Sequence, residues 1–328
     1  EREKINSLKR MLQTQIIEYS REIDEDIFVF EERNDQVFLC VLNIREGKVI
    51  NKNHIQISLE RSQEDNIFER LITSYYEKRS IPKNIICSPS FEENENIIKE
   101  WAKIEKNREI KMYFPKINSR RYQLLEMGFL NLKEEVEKYY RQKKNIQEGL
   151  NNLKKILKLK KKPYRIECFD ISNIQGVDAV AAMTVSIDGK IEPREYRHFK
   201  IKSKDTPDDF FMMREALTRR YSKLLPEEMP ELILIDGGKG QLGVAVDTLK
   251  KLGKIEYTDI ISIAKREEEI FKAYESIPYM FERVDETLKI LQRLRDEAHR
   301  FGITHHRKLR SKRDVKSSLD DIIGIGPK

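Results

Sequence analysis

Two aspartates end or interrupt short apolar runs, and their placement suggests metal chemistry. Asp170 lies within IECFDIS, and Asp236 ends ELILID. An unpaired carboxylate in an apolar strand is costly, so each needs a compensating partner. A divalent cation between two converging carboxylates would be one, and oxygen ligands without cysteine favour Mg²⁺ or Mn²⁺. Each aspartate could instead cap a turn, especially Asp236, because two glycines follow it.

A third candidate lies in the helical sequence RLRDEAHRFGI. Asp296, His299 and Arg300 are three or four residues apart and therefore share one broad helix face. Packing of this helix on the sheet would bring His299 or Asp296 to the metal, with Arg300 available to DNA. The alternative is a solvated charged helix that buries Leu294 and Phe301.

Two further segments could assist. Asp208 and Asp209 follow Pro207 at a predicted helix start, where capping is the ordinary role of such residues. The glycine-rich segment 237–241 resembles a phosphate-binding loop but lacks the P-loop spacing and the Ser or Thr after the lysine. Nucleotide hydrolysis is therefore the weaker alternative, whereas Lys239 could contact a DNA phosphate beside the carboxylates.

Positive charge gathers just before the first candidate strand. Residues 154–165 hold seven basic side chains and no acidic one, among them Lys160, Lys161 and Lys162. Such a run is usually a solvated helix face. Placed immediately before the strand that carries Asp170, it could follow a nucleic-acid backbone.

A second basic stretch, HHRKLRSKRDVK, leads to the C-terminal sequence SLDDIIGIGPK. Gly324 and Gly326 fit the tight turn of a helix-hairpin-helix. Backbone N–H groups in such a turn bind phosphate, because glycine permits close approach. The sequence predicts the first half of this motif.

The elements that position these residues repeat along the chain. The order β-β-β-α-β-α-β is predicted over residues 27–115 and again over 164–304, with hairpin turns at 45–48 and 188–190. A long helical stretch, 118–160, lies between them. We infer two related α/β domains, although three strands with alternating helices are also a common pattern.

When the two halves are aligned, the two candidate aspartates occur only in the second half. Ser88 falls opposite Asp236, and Val29 or Phe30 falls opposite Asp170. The first half therefore lacks both acids and is expected to be a scaffold.

Composition excludes several other classes. The chain has 328 residues, enough for about two domains, and its 63 basic against 56 acidic residues give a net charge of +7. No apolar run approaches the roughly 20 residues of a membrane helix, and the polar N-terminus is no signal peptide. Cys40, Cys87 and Cys168 lie apart in apolar runs, which favours buried thiols in a reducing cytoplasm and argues against zinc.

Six strings together are similar to the UvrC family, the excision nucleases of bacterial nucleotide excision repair. They occur in the family's order and span about residues 164–328: IECFDISNIQG, FKIKSKDTPDDFFMMREALTRRY, LILIDGGKGQL, AKREEEIF, LQRLRDEAHRFGITHHR and SLDDIIGIGPK. Residues 1–160 are similar more loosely to the region between the family's UvrB-interacting motif and its nuclease domain.

The resemblance implies an RNase H-like endonuclease that makes the 5′ incision after UvrB has marked a lesion. Carried over by position, Asp170, Asp236 and His299 match the family's metal-site residues. Asp209 falls where a further important aspartate is expected. The family's N-terminal GIY-YIG nuclease, which makes the 3′ incision, is not among these residues.

The sequence thus predicts an α/β protein with an RNase H-like nuclease domain after a second, inactive RNase H-like domain. The expected divisions are a helical end of the UvrB-interacting region (1–22), the inactive domain (23–118), a helical basic linker (119–162), the nuclease domain (163–306) and a basic linker with a truncated helix-hairpin-helix (307–328). We expect a cytoplasmic, metal-dependent DNA endonuclease, monomeric by itself, with DNA and UvrB as partners. The alternative is a non-catalytic DNA-binding or scaffolding module.

Overall fold

The computed structural model describes residues 23–59, 67–117, 119–172, 180–201, 208–265 and 267–320, with side chains as far as residue 304 except for that of residue 172. The chain divides into two compact units, residues 1–141 and 142–328. The helical segment expected over residues 1–22 lies outside the described residues. Among the described helices, none is long and apolar enough to cross a membrane.

The first unit is a five-stranded sheet with helices on both faces. Its elements are β1 (Glu25–Arg33), β2 (Gln36–Arg45), β3 (Lys48–Ser58), α1 (Ile67–Tyr76), β4 (Asn84–Cys87), a 3₁₀ turn (Pro89–Asn94), α2 (Glu95–Glu105), β5 (Lys111–Tyr113) and the first part of α3 (Arg120–Ile156). The strand order is β3-β2-β1-β4-β5, with β1, β4 and β5 parallel. β2 is buried nearly throughout, whereas β3 is an exposed edge strand.

Tight turns set the register of the first three strands. Asn34 and Asp35 join β1 to β2, and Glu46 and Gly47 join β2 to β3, all four with positive φ. Two consecutive residues of this conformation match the twist of antiparallel strands. The hairpin predicted at 45–48 is therefore confirmed.

The second unit repeats this plan with more strands. Its elements are the rest of α3, β6 (Arg165–Ser172), β7 (Val180–Ile187), β8 (Lys190–Ile191), a 3₁₀ turn (Pro193–Glu195), β9 (Arg197–Lys200), α4 (Asp209–Tyr221), a 3₁₀ turn (Pro226–Glu228), β10 (Leu232–Asp236), α5 (Lys239–Lys251), a 3₁₀ turn (Ile255–Tyr257), β11 (Asp259–Ile263), β12 (Ile270–Lys272) and α6 (Glu286–Asp320). The sheet order is β12-β11-β10-β6-β7-β8, and β9 also pairs with β7. β10 and β11 are buried at every residue, as expected of parallel strands covered on both faces.

The predicted α/β architecture of two related units is confirmed, and three local predictions change. The strand expected over 195–201 is the shorter β9, and a 3₁₀ turn that begins at Pro193 separates it from β8, a two-residue strand that was not predicted. Pro193 lacks the N–H that a ladder needs. β12 was not predicted. The final helix, expected to end near 303, continues to Asp320, because residues 303–320 contain no glycine or proline to stop it.

The stretch expected to be a basic linker contributes to the cores of the units. In the first unit, Leu124 and Leu132 of α3 pack with β1 and β2 residues. In the second unit, Leu150 and Leu153 of the same helix pack with β6 and β10 residues. Apolar residues at helical spacing thus alternate with the lysines of this stretch, and the lysines occupy its exposed side.

Register shows that the two units are built alike. In the first unit Phe28 of β1 pairs with Cys87 of β4, and in the second Phe169 of β6 pairs with Ile235 of β10. The next residues along each strand are therefore equivalent. Val29, rather than Phe30, corresponds to Asp170.

A buried acid–tyrosine pair is also shared. Tyr76, the last residue of α1, donates a hydrogen bond to Asp26 at 2.6 Å. Tyr221, the last residue of α4, donates one to Glu167 at 2.8 Å. Both acids lie two residues before the equivalent phenylalanines, so the pairs occupy corresponding positions.

Candidate metal centre

Asp170 and Asp236 lie at the carboxyl ends of two neighbouring parallel strands. β6 and β10 pair through Phe169 and Ile235, and each aspartate is the next residue. Asp170 is 3% exposed and Asp236 is 8% exposed. The parallel pairing therefore brings two buried carboxylates to the same edge of the sheet.

His299 completes the group from α6. Leu294 and Ala298 anchor this helix in the core, and the imidazole Nδ1 lies 3.2 Å from Asp170 Oδ2. The His299 side chain is 48% exposed. One ligand atom from each of Asp170, Asp236 and His299 lies within 4.8 Å of the others, which could hold a metal ion.

The two carboxylates disturb each other electrostatically. Burial raises the pKa of Asp236, and the negative charge of Asp170 raises it further. The Lys265 ammonium, 3.1 Å from Asp236 Oδ2, opposes this effect. Lys265 is 57% exposed, so its stabilisation of a buried carboxylate is partial.

The donor set suits a divalent cation. The two carboxylates offer the hard oxygen ligands that Mg²⁺ and Mn²⁺ prefer, and the imidazole adds one nitrogen ligand. A cation at this edge would also relieve the repulsion that raises the pKa of Asp236.

Lys265 and Arg295 are neighbours of the site that sequence reasoning missed. Arg295 lies one helical turn before His299 and donates to Glu268 at 2.6 Å and to Asp296 at 2.8 Å. It thereby ties the loop after β11, which carries Lys265, to α6. The string AKREEEIF contains Lys265 and Glu268, but nothing in its pattern predicts that the loop turns back over Asp236.

The structure keeps the predicted aspartates of α4 apart from the metal group. Asp208 caps the helix, because its Oδ1 accepts from the backbone N–H of Phe210 at 3.0 Å and of Phe211 at 3.3 Å. Asp209, the first helical residue, is exposed. Among the residues described by the structure, the metal group of three does not include Asp209.

Lys239 lies near the candidate site but already has protein contacts. It is the first residue of α5, two residues after Gly237. Its ammonium donates to the Ser276 carbonyl at 2.8 Å and lies 4.9 Å from the centre of the Phe271 ring. A phosphate contact by Lys239 would share the ammonium with these partners.

The basic run before β6 divides into structural and exposed lysines. Lys160, predicted to contact DNA, donates instead to three backbone carbonyls at 3.0–3.1 Å, those of Ile255, Glu256 and Thr258. An ammonium has three N–H donors, so this prediction is corrected to a structural role. Lys162 binds Gln147, and Lys161 is exposed.

The remaining residues predicted to contact DNA are Arg300, Gly324 and Gly326. Arg300 is exposed and pairs with Glu297, its Nε donating at 2.7 Å. Gly324 and Gly326, with the helix-hairpin-helix predicted around them, lie outside the described residues.

The equivalent edge of the first unit carries neither of the two aspartates. Val29 replaces the first aspartate, and Ser88, buried at the end of β4, replaces the second. A Cβ atom at Gly128 of α3 would lie 3.1 Å from both methyl groups of Val29, so helix and strand are in close contact there. This edge has an apolar seam where the second unit has carboxylates.

Fold and site together define an RNase H-like nuclease domain, preceded in the chain by a second copy that lacks the two aspartates. Residues 154–303 match the UvrC RNAse H endonuclease domain, and residues 24–139 match the UvrC Ribonuclease H-like domain. The chain belongs to the UvrC family, which confirms the resemblance of its sequence motifs.

Relatives support this assignment along the whole chain. The chain is 52% identical over 325 residues to the UvrABC system protein C of Fusobacterium nucleatum, covering 99% of this chain and 55% of that protein. It is 36% identical over 338 residues to that of Methanosphaera stadtmanae, covering 100% of this chain and 55% of the relative. The chain thus spans about half the length of these relatives.

Among solved structures, a Ciona intestinalis Endonuclease V in complex with a 24mer DNA is 18% identical. The match covers 40% of this chain and 58% of that one, with a TM-score of 0.24.

Proposed function

We propose that this chain is a divalent-metal-dependent DNA endonuclease that makes the 5′ incision beside a lesion in nucleotide excision repair. The observation that carries the proposal is the convergence of Asp170, Asp236 and His299 from β6, β10 and α6, with ligand atoms within 4.8 Å. Membership of the UvrC family supports the repair role. The UvrABC name of the relatives supports UvrB and damaged DNA as partners, in the cytoplasm.

Asp170 and Asp236 would hold Mg²⁺ or Mn²⁺. When bound, the cation would lower the pKa of a coordinated water and stabilise charge on the scissile phosphate. His299 would either complete the ligand set or transfer a proton to the leaving oxygen, which its half-exposed position permits. Lys265, held at Asp236, would offer its ammonium to the incoming phosphate.

DNA contacts outside the site would be to the backbone. Lys161, just before β6, and Arg300, on α6, are exposed. Such contacts position a duplex without reading its bases. That property suits an enzyme that must cut whatever sequence carries a lesion.

The first unit would serve as a non-catalytic scaffold. Val29 and Ser88 supply no carboxylate, and the contact between Gly128 and Val29 fills the corresponding edge. We infer that this unit supports the nuclease domain or a protein partner and cuts no DNA.

A paired binding and cleavage experiment tests the proposal. Mn²⁺ binding to the chain is measured by titration calorimetry, and nicking of a lesion-containing duplex is measured with UvrB and Mg²⁺ or Mn²⁺. Asp170→Asn should abolish both. Asp247→Asn, which alters an exposed aspartate of α5, should change neither. Absence of Mn²⁺ binding by the unaltered chain, or normal nicking by Asp170→Asn, would contradict the metal-site assignment.

A further inference from the structure

His299 has few contacts of its own to fix its position. Its side chain is half exposed, and its described polar contact is the one with Asp170. The last deeply buried apolar residue of α6 before it is Ala298. The position of the imidazole therefore depends on what holds the helical turn from residue 297 to residue 301.

Strand β9 holds that turn through an aromatic clamp. The imidazole of His198 stacks on the Phe301 ring, with centroids 3.7 Å apart and planes 17° apart. The Nε2 atom of His198 also lies 3.3 Å from the Phe301 carbonyl oxygen, within reach for an N–H donor. The ring and the backbone of Phe301 are thus both held by one side chain.

Tyr196, two residues earlier in the chain, holds the other end of the same turn. Its ring meets Phe301 edge to face at 5.0 Å, and its hydroxyl donates to Glu297 Oε1 at 3.1 Å. Glu297 and Phe301 are four residues apart and therefore lie on one face of α6. His299 lies between them in the chain.

Strand register links this clamp to the metal centre. His198 of β9 lies opposite Ala182 of β7, which lies opposite Asp170 of β6. Directly paired residues emerge from the same face of a sheet, so the three side chains form one row. Ala182, small and fully buried, lets α6 approach the sheet between the clamp and the carboxylate.

We propose that His198 is a positioning residue for His299. By stacking on Phe301 it fixes the rotation and height of α6 over Asp170, and it thereby sets the metal affinity of the site. The inference rests on the proposed metal site and adds a residue outside the ligand set. The ring of His198 carries the effect, because it stacks nearly parallel on the Phe301 ring, with centroids 3.7 Å apart.

Calorimetric titration of the full chain with Mn²⁺ tests the inference. His198→Asn removes the ring and should raise the Kd about tenfold, the lower end of what loss of a ligand-orienting residue produces. Phe301→Leu breaks the same stack from the other side and should raise the Kd similarly. His198→Phe keeps a ring on Phe301 and should restore the Kd to within about twofold of the unaltered chain.

A His299→Ala variant separates this inference from the proposed function. If neither the unaltered chain nor His299→Ala binds Mn²⁺, the metal site itself is wrong. If His299→Ala weakens binding but His198→Asn binds like the unaltered chain, only the positioning role is overturned. A His198→Phe variant as weak as His198→Asn would also overturn it, since the imidazole chemistry rather than the stack would then matter.

Discussion

The two units place opposite chemistry at the same strand positions. Where β6 and β10 carry Asp170 and Asp236, the equivalent strands of the first unit lead to Val29 and Ser88. Where α6 presents His299 to a carboxylate, α3 presents Gly128 to the methyl groups of Val29. One edge gathers polar groups whose ligand atoms lie within 4.8 Å of one another, and the other brings helix and strand into apolar contact.

What the units share is equally informative. Each retains a buried acid–tyrosine pair away from the contrasting edge, Asp26 with Tyr76 and Glu167 with Tyr221. The buried pair, which stabilises the fold, is thus present in both units, whereas the carboxylate edge is present only in the second. The same sheet forms without the acids at the edge, which supports the proposal that they serve chemistry rather than folding.

The largest expected effect is a loss of DNA nicking when the carboxylate edge of the second unit is altered, but not when the equivalent edge of the first unit is. Asp236→Asn should lower nicking of a lesion-containing duplex by about a thousandfold or more, since it removes a ligand from the reacting centre. Ser88→Ala, the matched change in the first unit, should leave nicking unchanged. Rates are measured on end-labelled duplex with UvrB and Mg²⁺. Comparable losses in both variants would break the contrast between an active and a silent edge.

The next effect is on the stability of the first unit, where Gly128 of α3 packs closely against Val29. Gly128→Val should destabilise the chain by about 2 kcal/mol, because added methyl groups would overlap Val29. Val29→Ala alone should cost about as much by leaving a cavity. Combined, the two should cost less than their sum by about 1 kcal/mol, since each makes room for the other. Urea unfolding measures all three.

Gly243 is the control for this cycle. A Cβ there would meet no atom within 4 Å, so Gly243→Ala in α5 should be neutral or stabilising by up to about 1 kcal/mol. If the unfolding free-energy changes of Gly128→Val and Val29→Ala add strictly, the two residues do not interact.

A smaller effect distinguishes the shared acid–tyrosine pairs. Tyr76→Phe should destabilise by about 2 kcal/mol, because it deprives buried Asp26 of one of its two side-chain partners. Tyr221→Phe should cost about 1 kcal/mol, because Glu167 retains two arginines. Thermal unfolding monitored by circular dichroism gives both values. The reverse ranking would contradict the idea that the partners remaining to each buried acid set the cost.

The smallest effect is on the metal-free stability of the nuclease unit. The folded pKa of Asp236 is raised by burial and by Asp170, so its ionised form destabilises the fold at pH values above that pKa. Asp236→Asn removes this penalty and loses only a half-exposed pair with Lys265. The melting temperature at pH 7.5 without metal should rise by about 2–4 °C.

The dependence on pH and metal makes that prediction sharper. The gain should shrink as pH falls through the folded pKa, because the carboxyl group of the unaltered chain is then neutral. Added Mn²⁺ should stabilise the unaltered chain and not Asp236→Asn, which reverses their order. A lower melting temperature for metal-free Asp236→Asn at pH 7.5 would contradict the repulsion inferred between the carboxylates.

Much of the fold was predictable because its signals are local. Glycine at 47 and 189 marks two hairpins, and the short apolar runs mark buried parallel strands. The proline that begins the 3₁₀ turn between β8 and β9 is also a local signal, but the pairing of these two strands depends on β7. The continuation of α6 to Asp320 was not predicted, because a stretch this rich in charged residues is usually taken for a linker.

The candidate site was predictable only in part. Asp170 and Asp236 stand out as charges at the ends of apolar strands, and the family resemblance selected His299. Lys265 and Lys160 could not be placed in this way, because their contacts depend on loops that fold back from other strands. A lysine in a basic run has the same sequence signal whether it binds phosphate or a carbonyl.

Cys168 lies on β6 two residues before Asp170 and is fully buried in the core below the site. Burial raises the pKa of its thiol, and the two aspartates add to the rise. The thiolate is the form that reacts with oxidants and binds soft ions such as Cd²⁺. This sulfur lies close to the carboxylate edge but stays protonated, so oxidants and thiophilic metals should react slowly with it.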